Sequence, residues 1–473
     1  MDINNLVLHR GKKFAGLTEQ NHLANAFLTE PETISPVISF IFGNYGKNPI
    51  DLLTGGLKRV KYVSNREFDW YLAGDIERTA VIVDSMTSTG STIGKWGQVF
   101  RVKLNEKLFV SGEILVSDER DFPFIVVGDP ENDGEGWIYT FKVISPNPET
   151  VIPEAALAVG KEISKEFSAY EELSGRSGST YFNTPFAMRN QLTTHRKSWG
   201  ISGSAASDVM VISMKDPSTG KASYLWTEYQ EWIGLMQWAK EKNRLLMYSQ
   251  YNPGTIAGAN GRPVYIGAGI REQIAPANKR YYTTLTENVI REFMMDLSYN
   301  VLEQGQRKFV ALCGEYFMDA FDKAMKNVAR GWQLVDTKFI TGTGQELSFG
   351  GQFTTYKGLN GTEITLMHNP MYDDTNVNRK LHPVTKRPLE SYRATFLDFS
   401  THDGESNIQL IAKKDREMVM WHTGGAVTPE GHAKSFSTLR SNTIDGYECH
   451  ALAEIGVMIK NPLSCGELIC DAE

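Results

Sequence analysis

The sequence has few cysteines and no long hydrophobic run, and both shortages narrow the class of protein. Only four of its 473 residues are cysteine, at spacings that match no zinc motif. We therefore expect buried free thiols. The densest apolar run, PVISFIF at residues 36–42, is far too short to span a bilayer. No stretch near the N-terminus has the length of a signal peptide. We expect a protein of a cytoplasm-like compartment with no membrane partner.

The motifs of hydrolases and nucleotide-binding proteins are also missing. Neither a Gly-x-Ser-x-Gly elbow nor a His-Glu-x-x-His helix occurs. TSTGSTIGKWGQ at 87–98 imitates a phosphate loop, but only three residues separate Gly90 from Gly94, and Trp96 replaces the required Ser or Thr. Residues that alternate with the period of a strand follow, where a helix would be needed. We predict a hairpin turn there, no nucleotide, no other cofactor and no enzymatic activity.

Two clusters contain residue types that bind metal ions. The acidic turn DPENDGEG at 129–136 matches the first half of a calcium loop, but Thr140 replaces the glutamate at position twelve, and strands flank it. His368, Asp373 and Asp374 lie close together in the stretch HNPMYDD. We predict a solvated turn at the first cluster. At the second we predict a surface loop without metal, with a bound metal as the open alternative.

Charge is unevenly distributed along a chain whose formal net charge is −7. Residues 1–66 hold eight Lys and Arg against five Asp and Glu, a sum of +3, whereas residues 117–136 hold seven acidic residues and one Arg, a sum of −6. Such clusters are usually solvated faces, but they also fit complementary surfaces that meet between two copies. The second interpretation predicts these contact residues: Lys12, Lys13, Lys58, Arg59, Asp129, Glu131 and Asp133.

The first 150 residues lack helical periodicity. Residues 1–60 contain many glycines and prolines and predict an extended arm, which gains stability only by lying on its own body or on a neighbour. Residues 61–150 alternate between strands and turns and predict a long β-hairpin. Because no helix accompanies this hairpin, we expect a neighbouring copy to cover its faces and edges.

Helical patterns begin at residue 151. Residues 152–173 predict a helix, and 224–246 predict a long helix whose apolar stripe includes Tyr229, Trp232 and Met236. A capping box of Thr284 and Glu287 opens a helix predicted over 286–304. The remaining predictions are a helix over 315–328, a hairpin turning on Asn360-Gly361 and a long strand over 448–462.

In this order, the elements resemble the major capsid proteins of tailed bacteriophages, which share the Hong Kong 97-type fold. The strand-rich stretch from EFDWYLAGDIERTAVIV to GWIYTFKVI is similar to the extended loop of these shells. CGEYFMDAFDKAM (313–325) is similar to a helix of their axial domain, and AEIGVMIKNPLSCGEL (453–468) to the closing strand of their peripheral domain. The overall character of the sequence resembles that of the major capsid proteins of crAss-like phages.

The resemblance implies an α+β fold in five parts. These are an arm (1–60), an extended loop (61–150), a peripheral domain with a spine helix (151–260), an axial domain (261–430) and a closing peripheral strand (431–473).

The function implied is self-assembly, as hexamers and pentamers, into the icosahedral head of the virion. Portal, separate scaffolding and cement proteins are the implied partners, together with weak, non-specific contacts to packaged double-stranded DNA. An encapsulin-type bacterial shell protein is one alternative. The other is an intracellular enzyme or ligand-binding protein with a β-rich insertion, which would need a concave polar site.

Overall fold

The computed structural model divides the chain into two compact units. The barrel unit is Tyr71–Ala187, and the body unit is Met1–Trp70 together with Met188–Glu473. The residues that the structure describes are 50, 53–54, 59–73, 79–85, 92–117, 120–173, 175, 184–204, 214–215, 222–223, 226–299, 302, 307–326, 333–335, 339–340, 346–347, 354–357, 361–402, 404–428, 431–432 and 442–471. Most of the predicted arm lies outside them.

Strands dominate both units. In chain order the first are β1 (Val60–Val63), β2 (Glu67–Leu72), β3 (Thr79–Asp84), β4 (Val99–Leu104), β5 (Glu113–Val116), β6 (Phe124–Val126), β7 (Glu131–Asn132), β8 (Trp137–Val143), β9 (Glu162–Ser168), β10 (Phe186–Gln191) and β11 (Thr193–Ser202). They are followed by β12 (Met214–Lys215), β13 (Ala222–Ser223), β14 (Asn252–Ala257), β15 (Pro263–Ile266), β16 (Lys279–Tyr282), β17 (Lys308–Cys313), β18 (Gln333–Val335), β19 (Phe339–Ile340), β20 (Glu346–Leu347) and β21 (Thr354–Lys357). The last are β22 (Glu363–His368), β23 (Ala394–Asp398), β24 (Thr401–His402), β25 (Glu405–Ser406), β26 (Ile408–Lys413), β27 (Val419–Gly424), β28 (Val427–Thr428), β29 (Gly431–His432), β30 (Gly446–Ile459) and β31 (Gly466–Cys470).

Helices are fewer. The α-helices are α1 (Trp226–Tyr248), α2 (Ile270–Gln273), α3 (Glu287–Ser298) and α4 (Glu315–Lys326). Short 3₁₀ turns cover Lys95–Gly97, Glu154–Leu157, Pro276–Asn278, Leu389–Tyr392 and Pro462–Ser464.

The barrel unit is a closed antiparallel sheet. Its strands pair in the order β4-β3-β9-β5-β6-β8, and β8 pairs back with β4, so six strands form a ring to which β7 adds a short extension. Alternate residues of each strand fill the interior, including Phe100, Val102, Phe124, Tyr139 and Phe141. Closure leaves no open ladder edge among these six strands.

This closure corrects two predictions. The prediction of an open hairpin over 61–150 is wrong, because β4 and β8 join and because β9, beyond residue 150, inserts between β3 and β5. The prediction of a helix over 152–173 is also wrong. In that segment Ile163 points into the barrel core, and pairing with two neighbouring strands outweighs local helix propensity.

In the body unit, a five-stranded sheet is built around the long strand β30. β11 pairs antiparallel with it from Thr193 opposite Ile455 to Ser202 opposite Gly446. β26 and β27 share its other edge, and β1 runs parallel to β26. The predicted last strand, 448–462, is therefore confirmed, with observed bounds of 446–459.

Helix α1 packs on this sheet and confirms the predicted long helix. Trp238, Leu246 and Met247 are buried in one cluster with residues of β26 and β30. Ile50 and Leu53, from the end of the predicted arm, are buried in the same cluster. That part of the arm therefore gains its burial on its own chain.

A second, seven-stranded sheet of the body unit is mixed, in the order β16-β31-β23-β17-β22-β21-β18. Its central strand β17 sends Phe309 and Ala311 into a core shared with α3 and α4, and Val310 and Leu312 into the α1 core. Burial on both faces explains why KFVALC reads as a continuous apolar run without alternation.

The predicted helices and hairpin of this region are confirmed with shifted ends. Helix α3 buries Ile290, Phe293, Met294 and Leu297, as the stripe predicts. Its cap is Thr286, whose Oγ1 accepts a hydrogen bond from the amide of Val289, so the capping box at Thr284 is wrong. Strands β21 and β22, on either side of the predicted turn, pair antiparallel from Lys357 opposite Glu363, which confirms the hairpin; Asn360 itself lies outside the described residues.

Candidate functional site

The acidic turn of the barrel unit is closed by a lysine. Lys103 Nζ lies 2.8 Å from Asp133 Oδ2 and 3.2 Å from Glu135 Oε2. The hydrogen bond from Lys103 holds the pKa of Asp133 below its usual range, and the same bond raises the pKa of Lys103. Asp133 Oδ1 also accepts the amides of Glu135 and Gly136. The ammonium of Lys103 thus occupies the position in which a calcium loop would bind its ion.

The residues predicted for the electrostatic contact differ in their exposure. Asp129, Glu131 and Asp133 are exposed. Arg59 is half-buried in the body unit, with its guanidinium 4.8 Å from the ring centre of Phe399, and burial lowers its pKa to about 10. Its assignment to a contact between copies stays a prediction. Lys12, Lys13 and Lys58 lie outside the described residues.

The segment that imitates a phosphate loop is a turn, as predicted, over its described residues 92–98. Gly94 and Gly97 have φ of 80° and 67°, and strand β4 follows immediately. Lys95 Nζ is 2.7 Å from a carboxylate oxygen of Glu149. Trp96 also has a positive φ, 58°, and is 65 % exposed, a combination that no periodicity could predict.

Of the three predicted metal-ligand candidates, the structure brings two together. His368 Nε2 lies 2.6 Å from Asp373 Oδ2. Asp373 also accepts the Ser391 hydroxyl and the amide of Glu315, which places it at the start of α4 as a cap. Asp374 is 2.7 Å from Arg244 Nη2 instead. The carboxylates therefore have structural partners that account for them.

Two absences apply to the described part of the chain. No group of three or more His, Cys, Asp or Glu side chains within it is arranged to hold a metal ion. Within the same residues, no helix is long and apolar enough to cross a membrane.

The predicted stripe of the long helix lies mostly beyond the described side chains. Those of Tyr229 and Trp232 are outside them, and Met236 is only half-buried. Trp238, two residues further on, is 4 % exposed, and its ring centre is 4.2 Å from that of His195. Burial of His195 lowers its pKa.

All four cysteines are free and buried, which confirms the prediction from their spacing. Burial raises the pKa of Cys465 to about 12 and raises that of Cys313 as well. Neither thiol is therefore activated as a nucleophile.

A buried ionic cluster in the body unit went unpredicted, because its members are far apart in the sequence. Glu467 is 1 % exposed and lies 3.0 Å from Arg271 Nε and 3.3 Å from Arg393 Nη1. Thr395 donates to Glu467, and Arg393 Nε is 2.8 Å from Glu390. Burial raises the pKa of both glutamates. The cluster links α2, β31 and the 3₁₀ turn Leu389–Tyr392.

Comparison with known proteins gives matches along nearly the whole chain. The family described as the crassvirus major capsid protein matches residues 2–473. The major capsid protein of Bacteroides phage crAss001 is 25 % identical over 485 residues, which cover 96 % of this chain and 95 % of that one.

Solved structures give more distant matches. The capsid of an empty GTA particle is 9 % identical, with a TM-score of 0.40 over 96 % of this chain and 100 % of that one. A structure of Mycobacterium phage Bobi is 7 % identical, with a TM-score of 0.39 over 97 % and 100 %.

Proposed function

The chain belongs to the crassvirus major capsid protein family, and from that premise we propose how its two units build a phage head. The protein is a structural component, not an enzyme, and its copies form the shell of the virion head. The single observation that carries this conclusion is the family match, which extends over residues 2–473.

In this proposal the body unit carries the Hong Kong 97-type fold. Helix α1 is the spine helix of the peripheral domain, and the β11–β30–β26 sheet lies beside it. The mixed sheet with α3 and α4 forms the axial domain. The order of elements supports the assignment, because β30 returns to the α1 core after the whole axial segment.

The barrel unit takes the position that the resemblance assigns to the extended loop. Strands β2 and β10, which lead into and out of it, pair with each other. The barrel buries its apolar side chains in a core of its own. Its role in assembly therefore comes from its surface. We assign contact with a neighbouring copy to the acidic turn, and Lys12, Lys13 and Lys58 are its predicted partners.

Assembly contacts of the body unit include the hairpin β14–β15. Ile256 and Val264 face each other across it and are 57 % and 38 % exposed. No further strand among the described residues pairs with either strand. The base is fixed, because Gln191 Nε2 donates to the carbonyls of Asn252 and Ile266. A rigid, apolar, open-edged hairpin is suited to contact with another copy.

The test is assembly of the full chain with the charge change Ile256→Glu. Light scattering and electron microscopy should show particles for the parent chain and few or none for the variant. Val159→Glu is the matched control, since Val159 is 67 % exposed in the barrel unit and carries no proposed contact. If Ile256→Glu assembles as well as the control, the hairpin is not a contact.

Partners beyond the chain itself follow from the phage assignment. We propose portal, separate scaffolding and cement proteins, and weak contacts with packaged double-stranded DNA. Co-expression with candidate head proteins and purification of the particles tests each partner. Particles that load a co-expressed enzyme, but never DNA, would favour an encapsulin-type shell instead.

A further inference from the structure

A basic hairpin lies at residues 379–389 of the body unit, and it contains no acidic residue. Its four cations are exposed, and within the described part of the chain none of them has a side-chain ion pair or hydrogen bond; they are Arg379, Lys380, Lys386 and Arg387. The nearest carboxylates in the sequence are engaged elsewhere. Asp374 pairs with Arg244 at 2.7 Å, and Glu390 pairs with Arg393 at 2.8 Å. The basic hairpin therefore presents locally uncompensated positive charge on a chain whose net charge is −7.

Backbone contacts hold the two arms of the basic hairpin together. Leu381 and Pro388 form an antiparallel β-bridge across it. The amide of His382 donates a hydrogen bond of 2.8 Å to the carbonyl of Arg387. The cations therefore project from a fixed backbone, which loses little conformational entropy when they bind a partner.

The tip of the basic hairpin is fixed by His382. Its ring stacks on that of Tyr392, with the ring centres 4.7 Å apart, and its Nδ1 accepts the amides of Val384 and Thr385. The hydroxyls of Thr385 and Tyr392 are 2.8 Å apart. These contacts fasten the tip to the 3₁₀ turn Leu389–Tyr392, so the hairpin is a built projection and not a loose flap.

Lys386, at the tip, has a backbone conformation that favours glycine. Its φ is 55°, in the left-handed region, where a side chain other than that of glycine is strained. No contact of its ammonium with another described residue accounts for a lysine at this position. Strained residues of this kind concentrate at functional sites. Because a glycine would form the same turn with less strain, the charge of Lys386 indicates a partner outside its own chain.

The phosphates of duplex DNA are the partner that these charges fit best. Duplex DNA carries one negative charge per about 1.7 Å of its axis, and lysine and arginine bind it whatever its sequence. A protein interface, in contrast, buries a core in which charged residues are depleted. Four of the eleven residues of the basic hairpin are cations, and its two large exposed apolar side chains, Leu381 and Val384, are too few to form such a core. The composition therefore favours non-specific contact with DNA over a protein partner.

We propose that the basic hairpin faces the lumen of the shell and holds packaged double-stranded DNA through non-specific contacts between its four cations and the phosphates. This contact rests on the proposed shell function and gives a location to the DNA contact named there. Non-specific sites bind DNA weakly, with dissociation constants of about 10⁻⁴–10⁻⁶ M at physiological salt. Repetition in every copy of the shell would hold the packed duplex, while each single contact stays weak enough to release it.

A salt series tests the contact. Binding of a fluorescent DNA duplex to the unassembled full chain is followed by anisotropy, and the logarithm of the binding constant is plotted against that of the salt concentration. Lys380→Gln with Arg387→Gln should make this slope shallower by about two, because each lost phosphate contact removes about 0.9. Arg101→Gln with Lys414→Gln is the control, which removes two exposed cations elsewhere and should leave the slope unchanged. Equal slopes for the hairpin variant and the control would overturn the contact.

A variant at Lys386 separates the charge from the fold. Lys386→Gly should make the slope shallower by about one. Its unfolding midpoint in urea should stay near that of the parent chain, because relief of the positive φ offsets the greater freedom of glycine in the unfolded chain. Lys386→Arg should keep the parent slope. If Lys386→Gly binds DNA as the parent chain does, the lysine has no role in the contact.

Labelling tests which way the basic hairpin faces. The four native cysteines are buried, and Val384 at the tip is 80 % exposed, so Val384→Cys offers a single accessible thiol. A maleimide coupled to a large polymer should label this variant before assembly and should spare it in closed shells. Labelling of closed shells would place the hairpin on the outer surface and overturn its role in holding packaged DNA.

Electron microscopy of the same variants separates this contact from the shell function. Shells from the hairpin variant, with the salt slope of the parent chain, would overturn the DNA contact alone. A parent chain that never forms shells, but whose salt slope still depends on the hairpin, would contradict the shell function and support the DNA contact. A hairpin variant that fails to assemble while its salt slope is unchanged would assign the hairpin to a protein partner and overturn the DNA contact.

Discussion

Removal of Arg271 should destabilise the body unit by about 3 kcal/mol. Its Nε is 3.0 Å from Glu467, a separation at which two unit charges attract by roughly 5 kcal/mol at an effective dielectric constant of 20. Breaking a buried pair costs about 3–5 kcal/mol. We expect the lower figure, because Arg393 still contacts Glu467 in the variant Arg271→Met and because a quarter of the Arg271 side chain is exposed.

The assay is urea unfolding of the unassembled chain, with hydrogen exchange of peptides from 463–470 to separate the body unit from the barrel unit. Adding Glu467→Gln to Arg271→Met should recover part of the loss, since no unpaired charge then stays buried. Lys323→Met is the control, because Lys323 pairs with Asp319 at the surface, and it should have no measurable effect. A double variant as unstable as the sum of its two single variants would refute the reasoning.

The same pair predicts a pH dependence. Burial raises the folded-state pKa of Glu467 above its ordinary value of 4.5. A raised carboxyl pKa contributes stability that is full below the unfolded pKa and is lost as pH rises through the folded pKa. Loss of Arg271 should raise the pKa of Glu467 further, so the deficit of Arg271→Met should be larger at pH 7 than at pH 5. A deficit that grows on acidification would contradict this assignment.

Three more predictions concern single sites. Trp238→Ala should lower the free energy of unfolding in urea by about 3–5 kcal/mol, and Met236→Ala by clearly less, because Met236 is only half-buried. Equal losses would show that the buried face of helix α1 is not centred on Trp238. Tyr139→Phe should cost about 1–3 kcal/mol, because the Tyr139 hydroxyl accepts the amides of Leu108 and Phe109. Tyr170→Phe should cost nothing, because that hydroxyl has no partner among the described residues. All four cysteines should resist a thiol reagent at pH 8 until the chain is denatured; rapid labelling of the native protein would show that at least one thiol is accessible.

Local patterns predicted much of the body unit. Helices α1, α3 and α4, the hairpin of β21 with β22 and strand β30 each follow from a periodicity or turn signal within one segment. Closure of the barrel could not be predicted in that way. It depends on β4 meeting β8 and on a segment of helical composition becoming β9, both of which are non-local pairings.

The same distinction between local patterns and long-range contacts applies to the site residues. The acidic turn is local, and its exposed carboxylates were predicted. The half-buried position of Arg59 depends on Phe399, and the Glu467 cluster joins residues nearly 200 positions apart. Neither of these contacts can be predicted from the spacing of residues in the sequence.

The pairing of β2 with β10 makes the barrel an exchangeable cassette. Paired strands lie about 4.8 Å apart, so the chain leaves and re-enters the body unit through two adjacent positions. Arg189 and Asp69 fasten these strands with hydrogen bonds of 2.8 and 2.9 Å on the body side of the junction. A foreign domain with closely spaced ends could replace residues 71–187 without stretching the scaffold that carries it. The head would then carry many copies of the inserted domain, one in each subunit.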